Sequence, residues 1–388
     1  MNDLIKIKYN NKTKEVHCGS SIEDSLKAHD LIIEYDYQKN PIIAAQANFE
    51  LLPLSYKLTY DVDIKPIRLF SDLGKRIYRH SICYLLCYAT SKIFPKRQLM
   101  IGHSLGDGYY FHFDDSYVLS SSDIDIITNE MKAIVKSKKE IKYMQIPYKV
   151  GLKYFQNRGA IQTVDLIEYQ HEPIIAIYKI DNYMDKSYEP LVSNSQILSL
   201  WELRKYNSLG MILRYPRSSD FSVLQEFKDN PLLFKVYQEY KKWNAILHFQ
   251  SLGKLNMNCI NNDIETYIRL AETLQQKKIA QIADSICDKE STKVIFIAGP
   301  SSSGKTTFTH KLGIQLRLFG KDPILISLDN YYKLKKDVPL DKKGNPDFEA
   351  LEALDLDLFK ENINDLFNNK EVEIPTFNFK ENKREHKG

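Results

Sequence analysis

Apolar and polar residues alternate from Ile5 in Leu4-Ile5-Lys6-Ile7-Lys8-Tyr9, and a second short segment, Thr13 to His17, follows beyond Asn10-Asn11. Two short strands around a turn dipeptide predict a β-hairpin. The period then changes. Ser20/Ser21 followed by Glu23-Asp24 predicts an N-cap for a helix carrying Ile22, Leu26 and Ala28. Pro41-Ile42-Ile43-Ala44-Ala45 and Lys57-Leu58-Thr59-Tyr60 predict further strands. In residues 221–290 the apolar positions Ile264, Ile268, Ala271, Leu274, Ile282 and Ile286 recur near helical spacing, with Asn262 placed to cap that helix. Val294-Ile295-Phe296-Ile297-Ala298 is a continuous apolar run of the kind that parallel strands buried on both faces show. A helix is predicted from Thr307 to Phe319, closed by Gly320, and a second strand over Pro323–Leu328.

Between the first of these strands and the helix stands Gly299-Pro300-Ser301-Ser302-Ser303-Gly304-Lys305-Thr306, followed by Thr307. This is the complete G-x-x-x-x-G-K-[ST] pattern of a phosphate-binding loop. Small residues let the backbone curl so that successive N–H groups point at polyphosphate oxygens, and the helix start adds its positive end. Lys305 can reach the β- and γ-phosphates of ATP, and the Thr306 hydroxyl can hold Mg²⁺. A Ser/Gly-rich turn without a ligand is the competing reading, and the strand before and helix after argue against it. Asp329 ends the second strand. Ligands of open parallel sheets gather at the carboxyl ends of strands, so this carboxylate is placed to take a proton from an attacking hydroxyl.

The bulk numbers bound these readings without changing them. A chain of 388 residues suggests two to four domains, and 43% apolar with 27% charged residues is the composition of a globular protein. A net charge of +4 over 54 basic and 50 acidic residues makes no case for nucleic acid or a membrane surface. Cys18, Cys83, Cys87, Cys259 and Cys287 are scattered, odd in number and without a C-x-x-C pair, which fits a reducing compartment better than a disulfide framework. No run approaches ~18 apolar residues and the first residues do not form a signal peptide. These features together predict a cytoplasmic protein that does not span a membrane.

Three parts of the chain resemble known families. The hairpin–helix–strand order of residues 1–63 resembles the TGS domain, a ubiquitin-like β-grasp found in threonyl-tRNA synthetases. Arg79-His80-Ser81-Ile82-Cys83-Tyr84-Leu85-Leu86 and Ile101-Gly102-His103-Ser104-Leu105-Gly106-Asp107-Gly108-Tyr109-Tyr110 resemble segments of the second additional domain of threonyl- and alanyl-tRNA synthetases. That domain edits mischarged tRNA with H-x-x-x-H and C-x-x-x-H pairs. Only His80 remains here; its partner is Tyr84, and the second pair falls at Ser187 and Leu191. One imidazole does not make a zinc site, so no zinc and no editing are expected.

Ser327-Leu328-Asp329-Asn330-Tyr331-Tyr332-Lys333 is similar to the S-L-D-x-F-Y-[KR] motif of the uridine kinase and phosphoribulokinase family. That resemblance implies Asp329 as general base and Tyr332 lining the acceptor site. Asp347-Phe348-Glu349, then Ala353-Leu354-Asp355, resembles the kinases' N-F-D-x-P-x-A-F-D segment, which makes Glu349 the acid on the ribose hydroxyls. Val372-Glu373-Ile374-Pro375-Thr376-Phe377-Asn378-Phe379 resembles V-x-I-P-x-Y-D-F, which makes Phe377 the ring on the base. Phe377 lacks the phenol, and Asn382 replaces a base-contacting His, so the acceptor is left open. Arg384 is the last basic residue expected on the substrate side.

The expected architecture is α/β and multi-domain: a TGS-like β-grasp module over 1–63, an α+β synthetase-like module over 64–220, a helical connector over 221–290 and a parallel-sheet P-loop kinase domain over 291–388. The same order resembles a bacterial group of nucleoside kinases whose kinase domain runs roughly another 100 residues. Residues 291–388 are therefore expected to be its N-terminal part, with weak or no turnover. The expected reaction moves the γ-phosphoryl of ATP·Mg²⁺ to a nucleoside-like hydroxyl. Two alternatives stay open: contact with tRNA or other RNA through residues 1–220, and nucleotide-dependent regulation without turnover.

Overall fold

The computed structural model describes residues 4–170, 172–217, 220–247, 249, 251–261, 263–300, 302–379, 381 and 383–385. Asn262, Ser301 and Asn382 lie outside the described residues. The chain forms two compact units, Met1–Tyr267 and Ile268–Gly388.

The first unit opens with β1 (Leu4–Tyr9) and β2 (Lys12–His17), paired antiparallel around Asn10 and Asn11. Both asparagines are left-handed, with φ of 45° and 64°, as a two-residue hairpin turn that follows strand twist requires. Helix α1 (Ile22–Ala28) begins with a reciprocal cap. Ser21 Oγ accepts from the Asp24 N–H, and the Asp24 carboxylate accepts from the Ser21 N–H and hydroxyl. The Ser21 hydroxyl holds the Asp24 carboxyl below the usual carboxylate range. Strands β3 (Ile42–Ala47), β4 (Glu50–Pro53) and β5 (Val62–Arg68) complete a sheet of order β2-β1-β5-β3-β4, with β5 parallel to β1. Ile7, Ile22, Leu26, Leu54, Leu58 and Ile64 fill its core.

Residues 57–60 are not the strand that their pattern predicts. Leu58 is wholly buried, and its backbone pairs with the loop before α1 through Gly19 N–H to Leu58 O (2.7 Å) and Leu58 N–H to Ser20 O (2.9 Å). The ladder position is taken by β5, which runs through the division expected between residues 63 and 64.

There follow α2 (Asp72–Ile93), β6 (Leu99–Leu105), β7 (Gly108–Phe113), α3 (Ser121–Lys136), β8 (Lys142–Pro147), α4 (Tyr148–Asn157), α5 (Ile161–Gln170), β9 (Ile174–Ile180), β10 (Tyr183–Asp185), β11 (Glu202–Lys205) and β12 (Gly210–Arg214). The strands make two antiparallel sheets, β11-β12-β7-β6 and β10-β9-β8. Helix α2 is buried along most of its length and joins Tyr37, Ile43 and Leu69 of the first sheet's surroundings to Phe111, Tyr178 and Met211 in one core. Each such fully buried side chain contributes about 1.5–3 kcal/mol. Inside it the Tyr78 hydroxyl is satisfied twice, donating to Leu200 O at 2.9 Å and accepting from Leu200 N–H at 3.1 Å. Gly210 is dictated by packing, since a Cβ there would lie 2.1 Å from the Tyr110 hydroxyl.

Helix α6 (Pro231–Ile246) lays Leu233, Phe234 and Tyr237 on Leu105, Tyr110 and Ile212 of the four-stranded sheet. Helix α7 (Leu252–Ile260) lies against α5, where Gly253 leaves room for the Asp165 backbone and Cβ. Helix α8 (Ile264–Cys287) is continuous across the division between the units.

In the second unit α9 (Lys305–Leu318) packs Leu312 and Leu316 on Ile279 and Ala283 of α8. Helix α10 (Leu356–Phe367) is capped by Asp355, whose Oδ1 accepts from the Leu358 N–H at 3.2 Å. A two-stranded ribbon, β13 (Thr376–Asn378) with β14 (Lys383–Glu385), follows. The parallel sheet expected here is absent among the described residues. Among the described residues 294–298 and 323–326 make no backbone–backbone hydrogen bond, although Ile297 joins the α8–α9 core and Leu325 lies 3.5 Å from where a Cβ on Gly313 of α9 would be. A strand is defined by its neighbour. With no described segment paired to either run, their N–H and C=O groups form no ladder.

Candidate nucleotide-binding site

The loop before α9 is shaped by two left-handed residues, Ser302 (φ 57°) and Gly304 (φ 84°). Gly304 is the N-cap of α9 and brings no side-chain acceptor, so the first N–H groups of a 14-residue helix stay open toward the loop. Gly299 approaches closely, because a Cβ there would lie 3.0 Å from Ser303 Oγ. The Ser303 N–H donates to Pro300 O at 3.3 Å and tightens the turn. The Lys305 ammonium folds back over the loop, donating to Gly299 O and Pro300 O, each at 2.9 Å. The Thr306 and Thr307 side chains are exposed and make no hydrogen bond among the described residues. An uncapped helix start, a lysine above it and a free hydroxyl at Thr306 fit a polyphosphate with its Mg²⁺.

A second cluster forms around Tyr332. Its ring meets Phe348 at 5.7 Å, Phe377 at 6.0 Å and Phe379 at 5.9 Å, all edge-on or strongly inclined, and its hydroxyl donates to Phe348 O at 3.2 Å. Burial raises the Tyr332 phenol pKa, and the Asp329 and Glu349 carboxylates raise it further. Four of the predicted site residues, Asp329, Tyr332, Glu349 and Phe377, are thus brought into one corner. Asp329 and Glu349 are exposed, and neither side chain makes a hydrogen bond or ion pair among the described residues. Both carboxylates remain available to hydroxyl groups.

Arg384 does not join them. One terminal nitrogen pairs with Asp355 Oδ2 at 3.0 Å, and the other donates to Tyr332 O at 3.2 Å and Tyr331 O at 3.4 Å. Its donors face the protein, which is at odds with the substrate-side place expected for it. Phe348, Phe379, Asn330 and Asp355 carry weight that the sequence reading did not assign. Asn330 Oδ1 accepts from the Phe377 N–H at 3.4 Å, tying the turn after Asp329 to β13. The aromatic positions 348 and 379 stand inside the motifs already quoted, so their ring character was the available signal. No hydrogen bond or ion pair joins the loop to the Tyr332 corner among the described residues.

The first unit holds a cavity of about 750 Å³ lined in part by His80, Cys83, Tyr84, Cys87, Arg158 and Tyr183. Desolvation lowers the His80 pKa, and burial raises that of both thiols. Arg158 is spent internally on Met184 O, the Tyr183 hydroxyl and Asp185. No group of three His, Cys, Asp or Glu side chains that could hold a metal ion occurs among the described residues. No helix among them is long and apolar enough to cross a membrane.

Residues 294–387 match the Phosphoribulokinase / Uridine kinase family. The N-terminal half is similar to threonine–tRNA ligases. That of Carboxydothermus hydrogenoformans is 30% identical over 162 residues, 42% of this chain and 26% of the ligase. The ligase of Finegoldia magna is 24% identical over 196 residues, 50% of this chain and 29% of the ligase. The ligase of Ehrlichia canis is 27% identical over 205 residues, 52% of this chain and 31% of the ligase. The chain thus spans less than a third of the length of these relatives.

Proposed function

We propose that residues 291–388 bind ATP through Gly299–Thr307 and present Asp329 to a hydroxyl of a nucleoside-like acceptor. The observation that carries this reading is the uncapped start of α9 behind the left-handed Gly304, with Lys305 folded over it. Mg²⁺ held at Thr306 would offset charge on the phosphates. Asp329 would take the acceptor's hydroxyl proton as that oxygen bonds to the γ-phosphorus and the bond to the bridging oxygen breaks, leaving ADP. Glu349 would hold neighbouring hydroxyls, and the Tyr332 and Phe377 rings would give the acceptor's planar part an apolar wall. An acceptor read by two carboxylates and rings is neutral; a sugar phosphate would be repelled. In domain terms the reading assigns 1–63, 64–220 and 221–290 to TGS-like, synthetase-like and connector modules before the kinase-type part. A cytoplasmic location goes with it.

The test pairs binding with transfer. Lys305→Ala should lower ATP affinity about tenfold or more, since a charge-assisted ammonium–phosphate bond is worth over ~1 kcal/mol. Asp329→Asn should leave ATP affinity unchanged and cut phosphoryl transfer to nucleosides by about 10²- to 10⁴-fold. Unchanged ATP affinity in Lys305→Ala would remove the loop reading. The similarity to threonine–tRNA ligases supports a second reading, RNA contact through residues 1–220. Filter binding of tRNA that weakens steeply with salt would favour it.

A further inference from the structure

We infer that Arg384 is a positioning residue: its guanidinium clamps the Tyr331–Tyr332 backbone and so fixes the corner that holds Asp329 and Tyr332. The effect on turnover rests on the kinase reading above; the clamp itself does not. Three separate segments meet at this side chain. The first is the turn Leu328–Tyr331 that carries Asp329 and leads into Tyr332. The second is Asp355, which receives Arg384 Nη1 on Oδ2 while its Oδ1 caps α10 and its own N–H donates to Tyr331 O at 2.8 Å. The third is the ribbon, where Arg384 of β14 stands opposite Phe377 of β13.

Arg384 is therefore bonded to the backbone beneath Tyr332 and cross-strand from the ring that packs on Tyr332. The segment it grips has other ties to the same neighbour. Lys333 N–H donates to Ala353 O at 2.8 Å, and Tyr332 bridges Leu354. These bonds fix the segment's height over Asp355, and Arg384 links it to the ribbon side by a charged group. The fit is specific to a guanidinium. One terminal nitrogen faces a carboxylate while the other reaches two carbonyls about one residue apart, a fork that a single ammonium cannot reproduce. Nε is buried without a partner among the described residues, so within them the orientation is set by the two terminal nitrogens.

If Arg384 touched the acceptor, its loss would weaken acceptor binding and leave the corner ordered. If it clamps, the corner loosens first and the chemistry suffers through Asp329. The wild-type chain and its Arg384→Lys, Arg384→Ala and Asp355→Asn variants, the last keeping an oxygen for the α10 cap, separate the two. Hydrogen exchange should quicken about tenfold in residues 328–333 and 376–379 of all three variants, with ATP affinity within twofold of wild type. With ATP and uridine as the probe, kcat should fall about 10- to 100-fold at nearly constant KM for ATP, and Arg384→Lys should not restore it. Exchange in 328–333 within twofold of wild type in Arg384→Ala, or full rescue by Arg384→Lys, would overturn the clamp. Should Arg384→Ala fail to fold, Arg384→Lys and Asp355→Asn decide on the same exchange readout. A wild-type chain that binds ATP yet never phosphorylates uridine counts against the acceptor reading, and the exchange data still settle the clamp.

Discussion

Strand β7 and the run 294–298 are both short apolar stretches beside a helix, and they end up in opposite states. In β7, flanked by β6 and β12, Phe111 is 0% exposed. In 294–298, which has no ladder neighbour among the described residues, Phe296 is 74% exposed. The side chains are alike and the local propensities similar. What differs is the set of partners for the backbone and for the second face. An apolar run therefore encodes a capacity for burial, and only long-range pairing realises it.

Mutation of the two phenylalanines puts that difference on a scale. Phe111→Ala should cost about 3–5 kcal/mol in chemical or thermal unfolding of the first unit, because a cavity opens where sheet and helix meet. Next in size, Ser21→Ala should remove about 1 kcal/mol from the same unit by breaking the reciprocal cap with Asp24. Asp24 would keep the residue-21 N–H but lose the hydroxyl that lowers its pKa, so the stability lost as pH falls through the Asp24 titration should be smaller in the variant than in wild type. Smallest of all, Phe296→Ser should change stability by no more than about 0.5 kcal/mol. A cost near that of Phe111→Ala would show that the 294–298 run is buried in solution and would erase the contrast.

Much of the local architecture was legible because it is written at short range. Asn10-Asn11 predicts the hairpin, Ser21 with Asp24 the cap, and the Gly304-Lys305 pair the loop's entry into α9; each depends on residues within a few positions. The strand misplaced at 57–60 shows where that stops. Leu58 has the right pattern, but Gly19 and Ser20 reach its backbone first, and the parallel neighbour of β1 comes a few residues later at Val62. Within the candidate site, Asp329, Tyr332, Glu349 and Phe377 were legible as motif members. The place of Arg384 was not, because its partner Asp355 is 29 residues away and its other acceptors are backbone carbonyls, which carry no sequence signature.

The folded-back Lys305 also starts from an occupied state. An ammonium has three donors, and the loop carbonyls of Gly299 and Pro300 already take two of them. An incoming anion must exchange bonds with the loop instead of filling a vacancy. On the proposed reading, linked phosphates would meet the ammonium and the helix start together, and the two resting bonds to the loop carbonyls would be part of the cost of binding them.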